Sequence, residues 1–269
     1  MRLVAILFCF ALVYGCSKPT GKQLIDAIDA GDPVLVEQLL VKGANPHAED
    51  NVVTGFDALE LAAREGSVPM VESLLARGAD CKDSKALNIA AINGHVEVVR
   101  VLLAAGAPAD ARHGEQKALS LVMDDCQLPM VELLLEAGAD VNGAAGPGLG
   151  YPPLVNAAEE GQIACVRRML DAGAHIEHRD RLGFTALAMA VVKDRREVVK
   201  LLLARGADPL APNRAGHTPA FIAGFRGDRA EIEQILEDAG VTDFGMRRPP
   251  KLEGGGPMIE VPVINVGAP

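Results

Sequence analysis

Residues 85–107 read KALNIAAINGHVEVVRVLLAAGA. Leu87, Ala90, Val98, Val99, Leu102 and Leu103 recur at helical spacing on either side of Gly94, and the stretch closes on Gly106. Apolar residues three or four apart mark one face of a helix, and a glycine just past the last turn closes it in the left-handed conformation without a Cβ penalty. The stretch therefore predicts two short antiparallel helices, each with its own stop. One such pair cannot bury its own stripe and needs neighbours stacked on it.

The neighbours are in the sequence. LLVKGAN from Leu39, LLARGAD from Leu74, LLAAGAP from Leu102, LLEAGAD from Leu134, MLDAGAH from Met169 and LLARGAD from Leu202 repeat the second-helix ending, and ILEDAGV from Ile235 is a degenerate seventh copy. The first stop falls at Gly31, Gly66, Gly94, Cys126, Gly161, Asp194 and Gly227, so Cys126 and Asp194 hold a glycine's place. Thr218, Thr185, Asp57 and Ser84 are N-cap candidates for the first helices, their side-chain oxygens being able to accept from a free backbone N–H of the first turn.

These residues resemble the ankyrin repeat, whose pattern is a Thr-Pro-Leu-His start, an Ala-Ala step, Gly-His, an aliphatic second helix and a Gly-Ala-Asp end. HTPAFIAGFRGD from His217 and DALELAAREG from Asp57 match it alongside residues 85–107. The resemblance implies an all-α solenoid of about seven helix-turn-helix repeats with short β-turn fingers. Their approximate spans are 22–53, 54–83, 84–112, 113–149, 150–181, 182–214 and 215–244. The finger after Gly78 is shorter than the family pattern, so a truncated hairpin is expected there. The finger GADVNGAAGPGLGYPPL from Gly138 is longer and rich in Gly and Pro, which predicts exposure and mobility.

Composition narrows function. Among 269 residues, 26 Lys+Arg stand against 36 Asp+Glu, a net charge of −10, and aromatic residues make up 3% with no Trp. A nucleic-acid partner is not expected, because phosphate binding needs a basic face and single strands need stacking rings. The 49% apolar content must come from Ala, Leu, Val and Ile, which suits thin helical layers.

The N-terminus, MRLVAILFCFALVYGC, carries Arg2, an apolar run from Leu3 to Val13, and then Cys16. Eleven apolar residues fall well short of the roughly 20 that span a bilayer, so residues 1–15 read as a signal peptide. Val13-Tyr14-Gly15-Cys16 resembles the lipobox of bacterial lipoproteins, with Tyr14 departing from the small residue usual there. That resemblance implies diacylation of Cys16, cleavage before it, and, with Ser17 following, an outer-membrane destination on the periplasmic side. An ordinary secretory peptide with an incidental Cys is the alternative. Residues 16–21 would form a tether of about 20 Å at full extension, a membrane partner at one end and the repeats at the other. The tail 245–269 is Pro- and Gly-rich and reads as flexible, with a pairing strand over Met258 to Val266 as the alternative.

In the ankyrin family the ends of the first helices and the finger tips line a concave face that binds other proteins. Carried over position by position, the partner-binding candidates are Arg64 and Glu65, Ile92 and Asn93, Asp124 and Asp125, Glu159 and Glu160, Val192 and Lys193, and Phe225 and Arg226. Their centre is acidic, and their far end is basic and apolar, with Arg181, Arg214 and His217 on nearby fingers. A basic segment of a partner protein is expected over Asp124, Asp125, Glu159 and Glu160, against the alternative that these are solvated helix ends. The partner would be another protein at large, the target of an immunity or inhibitor lipoprotein, or a periplasmic enzyme served by a helper.

No catalytic residue is assigned, and no cofactor, metal or small-molecule substrate is expected. The sequence has no Gly-x-Ser-x-Gly elbow, phosphate-binding loop or Cys pair at metal spacing. His175 and His178 lack a third ligand at a strong spacing, and His95, at the Gly-His position, reads as a structural hydrogen-bonder. Cys165 falls at an aliphatic core position and reads as a buried small hydrophobe. Cys81 and Cys126 lie two repeats apart, too far for a bond at about 10 Å per layer, so at least one free thiol is expected.

Overall fold

The structure, a computed structural model, describes residues 18–50, 55–82, 85–110, 112–113, 116–143, 151–226 and 230–245. Residues 1–15, expected to form a signal peptide, Cys16, the finger residues 144–150 and residues 246–269 lie outside them. Fourteen helices appear among the described residues. They form seven pairs: α1 (Gly21–Asp29) and α2 (Pro33–Val41), α3 (Ala58–Arg64) and α4 (Val68–Ala76), α5 (Ala86–Ile92) and α6 (Val96–Ala104), α7 (Ala118–Leu121) and α8 (Leu128–Glu136), α9 (Pro153–Glu160) and α10 (Ile163–Asp171), α11 (Ala186–Val192) and α12 (Arg196–Ala204), α13 (Pro219–Arg226) and α14 (Ala230–Asp238). First helices stack on first helices and second on second, so the chain is an all-helical solenoid. The finger between the third and fourth pairs adds a minimal hairpin, with β1 (Arg112–His113) antiparallel to β2 (Gln116–Lys117). Among the described residues no helix is long and apolar enough to cross a membrane.

Local chemistry explains where the helices start and stop. Asp57 caps α3, accepting from Glu60 N at 2.7 Å, while Thr185 and Thr218 accept from Ala188 N and Phe221 N at 3.2 and 3.0 Å. Ser84 lies outside the described residues, and Lys85 occupies the N-cap of α5 without a side-chain cap. The stop between the two helices is left-handed in every pair where it is described, including the two non-glycine stops, Cys126 at φ 48° and Asp194 at φ 56°. The Cβ direction of this stop points into the next repeat. A Cβ on Gly66 would sit 2.5 Å from the His95 ring, and one on Gly161 would sit 2.8 Å from Arg195 Cδ. Gly66→Ala is therefore expected to lower stability by about 2 kcal/mol or more, joining left-handed strain to a clash. Asp194→Gly is expected to raise it by up to about 1 kcal/mol, since glycine relieves the same strain where no clash applies. Thermal unfolding of the two variants checks both signs.

The core is one continuous layer of Ala, Leu, Val and Met running the length of the array, from Leu24 through Leu87, Leu102 and Met130 to Leu236. Hydrogen bonds staple one repeat to the next. His95 Nε2 lies 3.0 Å from Arg64 O, Gln162 Nε2 donates to Asp124 O at 3.0 Å, and Arg195 Nε donates to Glu159 O at 2.8 Å. These three residues each follow a stop and reach back to the equivalent carbonyl of the preceding repeat. Glu60, buried in α3, accepts from Asp57 N at 3.1 Å and from Lys85 N at 2.9 Å, tying the starts of two successive first helices together.

The structure corrects the reading of Cys165. It is not an isolated hydrophobe but is bonded to Cys126, with their Cα atoms 5.7 Å apart. The reason lies in the stop geometry: a side chain at Cys126 points into the following repeat, where Cys165 is buried at the start of α10. Cys81 is the free cysteine among the described residues and is buried, its thiol 3.5 Å from Ala105 O.

Candidate functional site

The candidate residues form a row, a pair in each of six repeats, at or just past the C-terminal ends of the first helices. Contacts between neighbouring repeats trace it. Arg64, the last residue of α3, pairs with Asp29 at 3.3 Å and with Glu65 at 3.1 Å. Asn156 of α9 donates through Nδ2 to Asp124 Oδ1 at 2.7 Å and to Ser120 O at 3.0 Å. Lys193, the C-cap of α11, pairs with Glu159 at 2.8 Å.

These contacts redraw the acidic centre. Asp124 and Asp125 do not stand on a helix end. The helix α7 stops at Leu121, and both aspartates sit in the turn that leads to Cys126. Asp124 is engaged by Asn156 and Glu159 by Lys193, whereas Asp125 and Glu160 are exposed and make no ion pair among the described residues. The negative charge of the row that has no ion-pair partner among the described residues therefore rests on Asp125, Glu160 and Asp124, whose contact with Asn156 is to a neutral amide. Tyr151, half-buried just before α9, has its hydroxyl pushed above the ordinary phenol range by burial and by the charges of Glu159 and Asp180.

Toward either end the row changes character. Ile92 closes α5 with 46% of its surface exposed, and Asn93 donates through Nδ2 to Ile89 O at 2.8 Å, a bond within its own helix. Val192 is partly buried against the core. Phe225 is 43% exposed, and its ring stacks on Phe221 at 5.5 Å, which stacks on His217 at 4.9 Å. This ring ladder runs from the last finger along α13, and the sequence row named only its end. The side chain of Arg226 lies outside the described residues. Arg181 and Arg214 are exposed on adjacent fingers.

Among the described residues no group of three His, Cys, Asp or Glu side chains, with His175 and His178 or elsewhere, is placed to hold an ion. Burial, and then the neighbouring His175, push the His178 pKa below the ordinary imidazole range, and its Nδ1 is buried without a partner. A depressed pKa means that the folded state favours neutral His178. Its contribution to stability is therefore present above the unfolded pKa, near 6.5, and is lost as pH falls through the lower folded value. His178→Gln is expected to remove part of the stability loss seen on acidifying from pH 7 to pH 5, measured by urea unfolding.

Comparison with known proteins places these features. The family model described as ankyrin repeats matches residues 24–113 and 119–213. An ankyrin repeat protein of Escherichia coli K12, YahD, is 29% identical over 193 residues, covering 67% of this chain and 94% of that protein. Human ankyrin repeat and SOCS box protein 6 is 33% identical over 130 residues, covering 44% of this chain and 31% of that protein. The chain thus spans about a third of that second relative's length. The solved ankyrin repeat domain of human ASB11 superposes with a TM-score of 0.71 at 24% identity, covering 82% of this chain and 98% of that one, a likeness of fold.

Proposed function

Because this chain belongs to the ankyrin-repeat family, whose arrays serve as protein-interaction scaffolds, we propose that it is a non-enzymatic binding scaffold, exported and held by lipid on Cys16 at the periplasmic side of a bacterial membrane. The observation that carries the binding reading is the row itself: six of the seven repeats present a pair of positions each, and at its centre Asp125 and Glu160 stand exposed and unpaired beside Asp124 and Glu159. A basic segment of a partner protein is the complement of that charge. A basic exported enzyme neutralised by this chain, as by an immunity lipoprotein, or a periplasmic enzyme assisted by it, are the partner classes that meet the condition. The export reading draws on the apolar run before Cys16, and the Cys126–Cys165 bond supports it, since oxidising compartments sustain disulfides and the reducing cytosol does not.

Residues 17–269, produced as soluble protein, are expected to capture a partner from periplasmic and membrane extracts. Asp125→Lys combined with Glu160→Lys is expected to weaken that capture at least ten-fold by slowing association, with the fold unchanged, because neither side chain bonds within the array. Equal capture by both proteins would overturn the acidic centre as the docking point and move it toward Phe225.

A further inference from the structure

We propose that the free face of α2 rests on the membrane surface, so that the array stands on its first repeat. The inference assumes the lipid anchor at Cys16 and adds to it a second, weaker contact made by the folded protein.

The two ends of the solenoid are unlike. A terminal repeat has one side that no neighbour covers, and solubility requires that side to be polar. The last helix, α14, meets this requirement with Glu231, Gln234, Glu237 and Asp238 exposed. The first outer helix, α2, does not. Val34 is 65% exposed, Val41 59% and Leu35 39%, three of the large apolar side chains that the array leaves in solvent, all within one nine-residue helix. Val34 and Val41 are seven residues apart, two turns of helix, so they fall on one stripe.

The charges beside this stripe fit an anionic surface. Lys18, Lys22 and Lys42 are exposed and make no ion pair among the described residues. Two of the acids nearby are paired, Asp29 with Arg64 and Glu37 with Arg77 at 3.2 Å, while Asp26 and Asp32, which accepts from Leu35 N at 2.9 Å, keep their charge against the three lysines. Lysines near an anionic bilayer each contribute about 1 kcal/mol of attraction. The occupant of the face follows from chain length. Cys16 lies five residues before Gly21, so a lipid there holds the start of α1 within about 20 Å of the headgroups. A modest apolar face that would not bind a bilayer from free solution is kept beside one, and the tether's effective concentration makes a weak contact persistent.

The chain has no Trp, so a single Trp reports one position alone. The lipidated full mature chain carrying Val34→Trp, and separately Leu210→Trp in the last finger, where Leu210 is 54% exposed, is reconstituted into phosphatidylethanolamine and phosphatidylglycerol vesicles. Sedimentation with the vesicles reads the anchor, and quenching by brominated acyl chains reads the face. Val34→Trp emission is expected to fall at least two-fold with brominated lipid, and Leu210→Trp emission to stay unchanged. Sedimentation without quenching at Val34→Trp would overturn the face and leave the anchor standing. Failure to sediment would overturn both. Equal quenching at both positions would show an array lying flat. A concentration-dependent blue shift at Val34→Trp without quenching would assign the face to a second copy of the chain, and either result overturns the proposal.

Discussion

Removing the Cys126–Cys165 bond is expected to cost the array about 3 kcal/mol and to split its unfolding into two transitions. The bond closes a loop between residues 39 apart, for which the chain-entropy model gives about 4 kcal/mol before any native-state strain is subtracted. It also joins repeats four and five, where the first helix, α7, is shortest and least able to hold the stack by packing alone. Because a repeat array is held by nearest-neighbour interfaces, weakening one of them uncouples the halves on either side. Cys126→Ser with Cys165→Ser should therefore melt in two steps, and a reductant should do the same to the unmodified protein. Cys126→Gly with Cys165→Val is expected to recover about 1 kcal/mol, because glycine relieves the left-handed strain at φ 48° and valine refills the core position. Melting of the double-serine variant with the unmodified midpoint would remove the bond from any structural role.

Glu60 is the second residue whose loss is expected to be large. Its carboxylate is 6% exposed and accepts from the backbone of its own helix start and from that of the next repeat. Glu60→Ala strands both N–H groups and a small cavity, an expected loss of about 3 kcal/mol. Glu60→Gln keeps one acceptor oxygen and is expected to lose about half of that. The two variants, measured by thermal unfolding and by hydrogen exchange at Asp57 and Lys85, separate a bridging role from simple packing. Exchange that rises at Asp57 alone would show that the link to the third repeat carries no stability.

The repeat phase was legible in the sequence because its signals are local. Glycine stops, Asp57 and Thr185 caps and the aliphatic stripes each act within one or two turns, so reading them needs no knowledge of how repeats stack. Cys126 marks where such reading ends. Its place in the stop series could be read directly, but its partner follows from the direction of a left-handed Cβ, which at Gly66 and Gly161 also points to the next repeat. The equivalent of His95 and Arg195 for Cys126 is Gln162, and Cys165 lies about one helical turn beyond it in α10, a placement that only the stacked structure gives. The acidic row was legible as positions and not as free charge. Whether Glu159 meets Lys193, or Asp124 meets Asn156, depends on side chains more than thirty residues apart that only stacking brings together.

Location bears on the rest, since the proposed tether and membrane-facing helix presuppose export and lipidation, and the disulfide is sustained in an oxidising compartment. The direct measurement is incorporation of labelled palmitate by bacterial cells producing the full chain and its Cys16→Ser variant, with both followed into membrane and soluble fractions. Label on the membrane-bound unmodified protein, absent from the variant, is the expected result. An unlabelled protein recovered from the cytosol, with Cys126 and Cys165 open to alkylation on unfolding, would contradict it.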